Sequence, residues 1–388
     1  MGPSASSGEG VLVLDAGSSS LHITLFGAEG TRIAGHDAER PPGPETTEEL
    51  RGFLATVPTP SAVGHRLVHG GPGLTEHTLI DGPVRALLEE AAPLAPLHMP
   101  PALAVVDAAG ELLPDIPHVA CFDTAFHAEL PAAAYQYAVP EQWRVQYGLR
   151  RYGFHGLSYT WSLARTADVL GRPAETLHLV IAHLGGGCSA CAVRNGRSVD
   201  TTMGLTPLEG LVMSRRSGSV DPGALVWLQR RHGLSAKEIE ETLHRHSGLL
   251  GLSGTSGDTR DLVRARAKGD ASAQGALAAF VHSCCRGIAA MAASLDRLDA
   301  LVFTGEIGED QPEVREEICA RLSVLGVRGG LSVPSVKELR EDGARRIDAP
   351  GTDVPILVVA TGETQQIAEE TRRPLWQRRS SQAYWMIH

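Results

Sequence analysis

Lysine is almost missing from this chain. Only Lys237, Lys268 and Lys337 occur among its 35 basic residues, leaving 32 arginines. Mechanisms built on an active-site lysine are therefore disfavoured, and anion binding falls to planar, permanently charged guanidinium groups. Long apolar runs are missing too: no stretch of 18 consecutive apolar residues exists, which argues against a membrane span. The opening MGPSASSGEG has neither the basic nor the apolar region of a secretory signal, so residues 1–10 are expected to form a disordered leader. It fits the loose M-G-x-x-x-S acylation pattern, but Pro3 and the absence of a polybasic second anchor favour the leader. Six cysteines, at 121, 188, 191, 284, 285 and 319, lie in apolar segments, and a reducing cytoplasm is the simplest setting. Cys188 and Cys191 make a lone C-x-x-C with no second pair to complete a zinc set, and buried thiols are expected.

Several catalytic signatures are also absent. There is no G-x-x-x-x-G-K-[ST] phosphate loop, no G-x-G-x-x-G in a βαβ setting and no G-x-S-x-G nucleophile elbow. The His65-x-x-x-His69 pair has zincin spacing, but Arg66 stands where a glutamate is needed. The run HRLVH also reads as a strand, where the two rings would not meet as they do on a helix.

What remains is an ordinary globular composition. The 388 residues allow two or three domains, with 43% hydrophobic and 21% charged side chains. A net charge of −10 opposes nonspecific attraction to nucleic acid or anionic lipid, so neither partner is expected. Glycine is in excess at 43 residues.

Two segments share a layout. VLVLDAGSSSLHITLF (11–26) reads as strand, turn, strand. LHLVIAHLGGGCSACAVRNGRSVD (177–200) reads as strand, glycine loop, strand and an Asn195-Gly196 turn into a third strand. Each is followed by helical stretches, such as TTEELRGFLATV (46–57) and SAKEIEETLHRH (235–246). Two α/β domains with a ligand cleft between them is the economical architecture. GALAAFVHSCCRGIAAMAASL (275–295) is apolar nearly all round and is expected to be a buried helix. The final segment starts as a helix that Pro374 should end or kink, and Arg372, Arg373, Arg378 and Arg379 read as a solvated basic tail.

The loop after the first strand, Asp15-Ala16-Gly17-Ser18-Ser19-Ser20, can offer backbone N–H groups and hydroxyls to phosphate oxygens, with Asp15 able to hold Mg²⁺ through a water. His183-Leu184-Gly185-Gly186-Gly187 is the matching loop of the second hairpin. Two such loops suggest a nucleotide or polyphosphate held by matched domains.

Further stretches combine ionisable groups with glycine or proline: GHRLVHGG (64–71), CFDTAFH (121–127), RRYGFHG (150–156), TPLEGLVMSRRSGSVDPG (206–223), SGTSGDTRD (253–261), FTGEIGED (303–310) and TGE (361–363). Their order and spacing resemble the acetate kinase family of short-chain carboxylate kinases, from Val11 to about Thr371. The resemblance implies two RNase H-like, actin-like ATPase domains with an interdomain catalytic cleft. Domain I would span 11–126 plus 363–388, and domain II, on the nucleotide and dimerisation side, 127–362. It implies reversible transfer of the ATP γ-phosphoryl group to acetate or propionate in a cytoplasmic homodimer, with Mg²⁺, or Mn²⁺ in its place, as cofactor.

Residue by residue, the resemblance implies that Arg66 and Arg216 bind the carboxylate and the transferring phosphoryl. Asp123 is the catalytic aspartate, and His155 and His183 touch the phosphoryl in flight. Val68, Leu97, Phe154 and Pro207 line the apolar pocket for the acid's methyl end, and with Arg66 they make up the substrate-binding set. Asp15 and Glu363 serve the metal. Ser18, Ser20, His22, His183, Gly185, Gly187, Asp258, Arg260, Gly305, Glu306 and Gly308 face nucleotide and phosphate.

Departures from the family pattern cluster in the loops facing the nucleotide: Asp15 for Asn, His22 for Lys, Gly186 for Asn, Tyr159 for His, Ser219 for Asp and Gly362 for Asn. Glu306 for Gly adds bulk and negative charge where the family places the nucleoside. A changed donor, pyrophosphate or another nucleotide, or a longer acid is therefore one alternative. A catalytically degenerate binder of nucleotide or acyl phosphate is another.

Overall fold

The computed structural model describes residues 10–17, 20–334, 339 and 343–386, the last eleven of these for backbone only. The chain divides into two compact units. One runs up to Ala128 and resumes at Gly362, and the other is the continuous stretch Glu129–Thr361.

The first unit holds strands β1 (Val11–Ala16), β2 (Leu21–Phe26), β3 (Arg32–Ala38), β4 (Ala62–Leu67), β5 (Thr78–Leu79) and β6 (His118–Phe122). They form one sheet in the order β3-β2-β1-β4-β6-β5. β1, β2 and β3 are an antiparallel meander, β4 and β6 run parallel to β1, and β5 closes the edge antiparallel. The second unit holds β7 (His178–Leu184), β8 (Cys188–Arg194), β9 (Arg197–Thr201), β10 (Ala300–Thr304), β11 (Ala344–Arg346) and β12 (Ile356–Val359). Its sheet runs β11-β12-β10-β7-β8-β9, the same strand order as the first. Both 11–26 and 177–200 are therefore hairpins that open equivalent sheets, and Asn195-Gly196 makes the turn into β9, with both residues at positive φ. His65, Arg66 and Leu67 lie in β4, so the strand reading of HRLVH holds for its first three residues, and Val68 and His69 follow the strand's end.

The central strands are apolar on both faces, as helix-covered strands must be. VLVLDA of β1, HLVIAHL of β7 and ALVFT of β10 are buried throughout. The outer edges β5 and β11 have two and three residues, too short to template pairing with another chain.

Helices cover these faces. Thr46–Leu54 and Ala236–Arg245 form where their apolar periodicity indicates, the latter started by a Ser235/Glu238 capping box. Ala271–Ala292 is long and apolar enough to cross a membrane by length and composition. It packs instead on β7 and β8, burying Leu277, Phe280, Val281 and Ile288 among others. Each such side chain contributes about 1.5–3 kcal/mol. All six cysteines are free, buried thiols.

The end of the chain differs from expectation. Helix Glu363–Met386 runs past Pro374 without ending there. Proline removes one N–H from the ladder, and the arginine, glutamine and alanine residues beyond it are good helix formers. Arg372 is no solvated residue either: it donates to the Gly27 carbonyl at 2.7 Å within the first unit, while Arg373 pairs with Glu370. The side chains of Arg378 and Arg379 lie outside the described residues.

Candidate active site

In the first unit the parallel strands β1, β4 and β6 end at the same edge of the sheet, the edge where open α/β sheets bind ligands. Asp15 is near the end of β1, Arg66 near the end of β4, and Asp123 directly follows β6. Glu363 opens the helix that returns to this unit. All four meet. Arg66 donates to Asp123 Oδ2 from Nη2 at 3.0 Å and from Nε at 3.3 Å, and to Asp15 Oδ1 at 3.1 Å. Its Nη1 also lies 3.4 Å from Glu363 Oε2.

Three carboxylates thus surround one guanidinium, a formal excess of two negative charges. Burial would lower the Arg66 pKa, but Asp123, Glu363 and Asp15 outweigh it and hold the group well above its ordinary range. Burial pushes the Asp123 carboxyl up to about 6, with Arg66 opposing and Glu363 and Asp15 adding to the rise. Two oxygens of the cluster, Asp123 Oδ1 and Glu363 Oε1, are buried without a hydrogen-bond partner.

No three carboxylate, thiol or imidazole groups form a metal cage among the described residues, since these carboxylates converge on Arg66. Mg²⁺ needs no such cage. It keeps several waters and commonly takes one or two carboxylates plus substrate phosphate, and two orphaned oxygens beside excess negative charge fit it.

The second unit builds a different site on the equivalent edge. The loop Gly185–Gly187 joins β7 to β8, and His183 precedes it. Helix Gly156–Leu170 starts at His155, a non-glycine residue held in the left-handed region at φ 59°. The His155 and His183 rings stack with centroids 4.1 Å apart. A Cβ added to Gly187 would lie 2.5 Å from Arg216 Nη2 and 3.2 Å from His155 Nε2, so both groups close over this glycine. His183 Nε2 faces Gly185 in the same way, with the Glu306 amide N beside it. Gly305, at φ 81°, brings its backbone so close to Leu184 that a Cβ would sit 2.6 Å from the carbonyl oxygen.

Arg216 donates to the Pro207 carbonyl at 2.6 Å and has no carboxylate ion pair among the described residues. Burial lowers its pKa, and the Cys188 sulfur offsets this in part. A guanidinium withdrawn from water without a counter-charge is a receptor for an anion.

The remaining candidates spread over both units. Val68 and Leu97 belong to the first; buried Phe154 and Pro207 belong to the second, next to His155 and on Arg216 respectively. Asp258 caps helix Thr259–Ala267 and grips Arg260 through both oxygens at 2.8–3.1 Å. The Asp258 hydrogen bonds raise Arg260, with Glu306 and Asp310 adding charge nearby. Gly305, Glu306 and Gly308 share helix Gly305–Asp310, which the fully buried Arg315 holds by donating to the Gly308 and Glu309 carbonyls. His22 pairs with Asp37 at 2.8 Å on a half-exposed surface. Ser20 closes the β1–β2 turn by accepting from the Gly17 N–H at 2.8 Å, and Ser18 lies outside the described residues.

Motif reading missed the side chains behind the two histidines. Ser158 Oγ lies 2.8 Å from His183 Nδ1, Ser189 Oγ 2.8 Å from His155 Nδ1, and Tyr159 Oη 2.5 Å from Ser189 Oγ. It also missed Thr304, which pairs with His183 in register and has a buried hydroxyl without a partner. The available signal was the hairpin register, which sets Ser189 opposite His183.

A model described as the acetokinase family matches residues 54–369. An acetate kinase from Deinococcus deserti is 44% identical over 400 residues, covering 96% of this chain and 99% of that protein. Among solved structures, an acetate kinase from Porphyromonas gingivalis matches with a TM-score of 0.83 at 35% identity, covering 95% of this chain and 100% of its own. A propionate kinase from Francisella tularensis reaches 0.84 at 32%, covering 94% and 99%.

Proposed function

Since the chain belongs to the acetokinase family, we propose that it is a phosphotransferase with a carboxyl acceptor, moving the γ-phosphoryl group of ATP reversibly onto acetate to give acetyl phosphate and ADP. Propionate is the alternative acid, because a small apolar pocket separates neighbouring chain lengths by only about 1–3 kcal/mol. The observation that carries the reading is Arg216, a cation without a carboxylate partner among the described residues that shares Gly187 with His155 Nε2.

Transfer between two oxygens is an in-line displacement whose charge spreads over three equatorial oxygens. Arg216, His155 Nε2 and His183 Nε2 would hold those oxygens, and donors fixed in advance need no reorganisation as charge develops. The acid's own oxygen is the nucleophile, so no strong general base is required. Arg66 would orient the acid's carboxylate while sharing its charge with Asp15, Asp123 and Glu363. Mg²⁺ or Mn²⁺, when bound, neutralises the donor's phosphate charge. The orphaned oxygens of Asp123 and Glu363, with Asp15 beside them, would hold it. Val68, Leu97, Phe154 and Pro207 would bound the acid's apolar end. Ser18, Ser20, His22, Gly185, Gly187, Asp258, Arg260, Gly305, Glu306 and Gly308 would serve the donor.

Six free thiols support a reducing, cytoplasmic setting. The exposed Val220, Val226 and Trp227 support a homodimer. Glu306 favours a second reading of the donor, since its carboxylate adds negative charge near Arg260 and beside the phosphate loops, weakening ATP relative to another polyphosphate.

Acyl hydroxamate formation from acetate, propionate and butyrate, with ATP or pyrophosphate, tests the reaction, the acid and the donor. Wild type should trap acetyl phosphate with ATP, and Arg216→Ala should not. Equal background from both proteins with every pair would leave only a binding protein.

A further inference from the structure

Between β9 and helix Pro222–His232, residues 202–221 form neither helix nor strand, yet this stretch carries both Pro207 and Arg216. A loop of that length has no ladder of its own, so its shape must come from partners elsewhere in the unit. At its far end the partners are backbone. The Ser217 N–H donates to the Leu243 carbonyl at 3.0 Å, and the Leu249 N–H donates to the Met213 carbonyl at 2.8 Å. At the near end they are side chains, and they converge on Glu209. Of the TPLEGL stretch (206–211), the proposed reaction uses Pro207 alone.

Arg151 Nη2 donates to Glu209 Oε1 at 3.1 Å, and Tyr137 Oη donates to Glu209 Oε2 at 2.7 Å. The same two side chains also grip the loop's backbone. Arg151 Nη1 donates to the Thr202 carbonyl at 3.0 Å, and the Leu205 N–H donates to Tyr137 Oη at 2.9 Å. Gly204 lies so close to the Glu209 carboxylate and the Tyr137 hydroxyl that no Cβ would fit there. Arg216 reads out the result. Its Nη1 donates to the Pro207 carbonyl at 2.6 Å, while its Nη2 lies over Gly187. A planar guanidinium held at one end takes its orientation from the group that holds it.

We propose that Glu209 is a positioning residue for Arg216. With Arg151 and Tyr137 it pins the loop at Leu205 and at Glu209, on either side of Pro207, and the Pro207 carbonyl then aims the guanidinium at the glycine loop. A half-exposed ion pair by itself contributes little to stability. Glu209 differs because each of its oxygens is held by a different side chain, and each of those also binds the loop backbone, so the four contacts support one another. Burial, with Glu209 beside it, raises the Tyr137 phenol well above its ordinary value and keeps its proton available to the carboxylate.

The inference rests on the kinase reading for what Arg216 binds, but the brace itself can be read without turnover. Hydrogen exchange of the unliganded protein, followed by NMR at the amides of Leu205, Ser217 and Leu249, separates the two ends of the loop. Tyr137→Phe and Glu209→Ala should each speed exchange at Leu205 by about tenfold or more, and leave Ser217 and Leu249 within about twofold. Unchanged protection of Leu205 in either variant overturns the proposal.

In the hydroxamate assay Glu209→Ala should lower kcat about 100-fold and Tyr137→Phe about tenfold, with the donor KM within about twofold. Arg216→Lys keeps the charge but loses the two-ended fork. Added to Arg216→Lys, either substitution should cost no more than about twofold further, because its effect runs through the guanidinium. Multiplying losses would reduce Glu209 to a general support of the fold and overturn its positioning role. If Glu209→Ala does not fold, Tyr137→Phe makes both tests alone. Wild type without turnover, but with Leu205 exchange following the brace, would strike the kinase reading and leave the brace standing.

Discussion

The two units lay six strands in one order and then use equivalent positions for opposite chemistry. Asp15, next to last in β1, pairs in register with His22. His183, next to last in β7, pairs with Ser189. Around Asp15 the first unit gathers Arg66, Asp123 and Glu363, a dense charge cluster that satisfies its own cation. Around His183 the second unit gathers stacked imidazole rings, hydroxyls, glycine and Arg216, which has no carboxylate ion pair among the described residues. The scaffold is the same strand order in both, and the residues at the strand ends decide whether a guanidinium is surrounded by carboxylates or left without one.

Substituting the two arginines is the strongest way to break this contrast. Arg216→Ala and Arg66→Ala should each cost about 10³–10⁵ in turnover, yet their stabilities should diverge. Removing Arg66 strands three carboxylates and should cost roughly 3–5 kcal/mol. Removing Arg216 should move stability by no more than about 1 kcal/mol, since no buried ion pair is broken. Equal shifts in a urea titration would erase the distinction.

Within the second loop, Gly187→Ala should lower kcat about 100-fold by pushing Arg216 and His155 aside. Gly186→Ala, where a Cβ meets nothing within 4 Å, should leave it unchanged. Comparable losses from both would mean that the loop, rather than that contact, matters.

The first unit's charge cluster predicts a pH effect. The Asp123 carboxyl is raised to about 6, so it is a carboxylate above that pH and a proton competes with the metal below it. The Mg²⁺ concentration for half-maximal rate should therefore rise about tenfold per pH unit below 6 and level off above it. Asp123→Asn should flatten that profile; a slope surviving in the variant assigns the titration elsewhere. The smallest effect is expected at the donor loop, where Glu306→Gly should lower the ATP KM about threefold, the size of a weak surface charge effect. An unchanged or higher KM would remove Glu306 from donor selection.

Much of this was legible in residue order. The hairpins at 11–26 and 177–200 show as apolar strands around glycine turns, and Ser235 with Glu238 announces its helix. The short edges β5 and β11 do not show, because two or three residues carry no periodicity. Pro374 misleads because local propensity does not count the rest of a 24-residue helix. At the site, Arg66, Asp123, Arg216 and Glu363 stand in recognisable motifs. Their opposite electrostatic situations are invisible there, since Asp15 and Arg66 are 51 residues apart and meet only through strand order. Ser189 hides for the same reason: it reaches His155 across 34 residues through the hairpin register.

The chain leaves the first unit after Ala128 and returns at Gly362. During synthesis, the second unit can therefore be complete while the first still lacks the helix that packs on β1, β4 and β6. At about 5–20 residues per second, the stretch from Glu129 to Thr361 takes on the order of ten seconds or more to make. Glu363, the first residue of the missing helix, is also the last of the four cluster residues to be made. A chain translated only to Thr361 holds His155, His183 and Arg216, but its carboxylate cluster is incomplete until the return helix docks. The order of synthesis thus makes the cluster around Arg66 the final part to assemble.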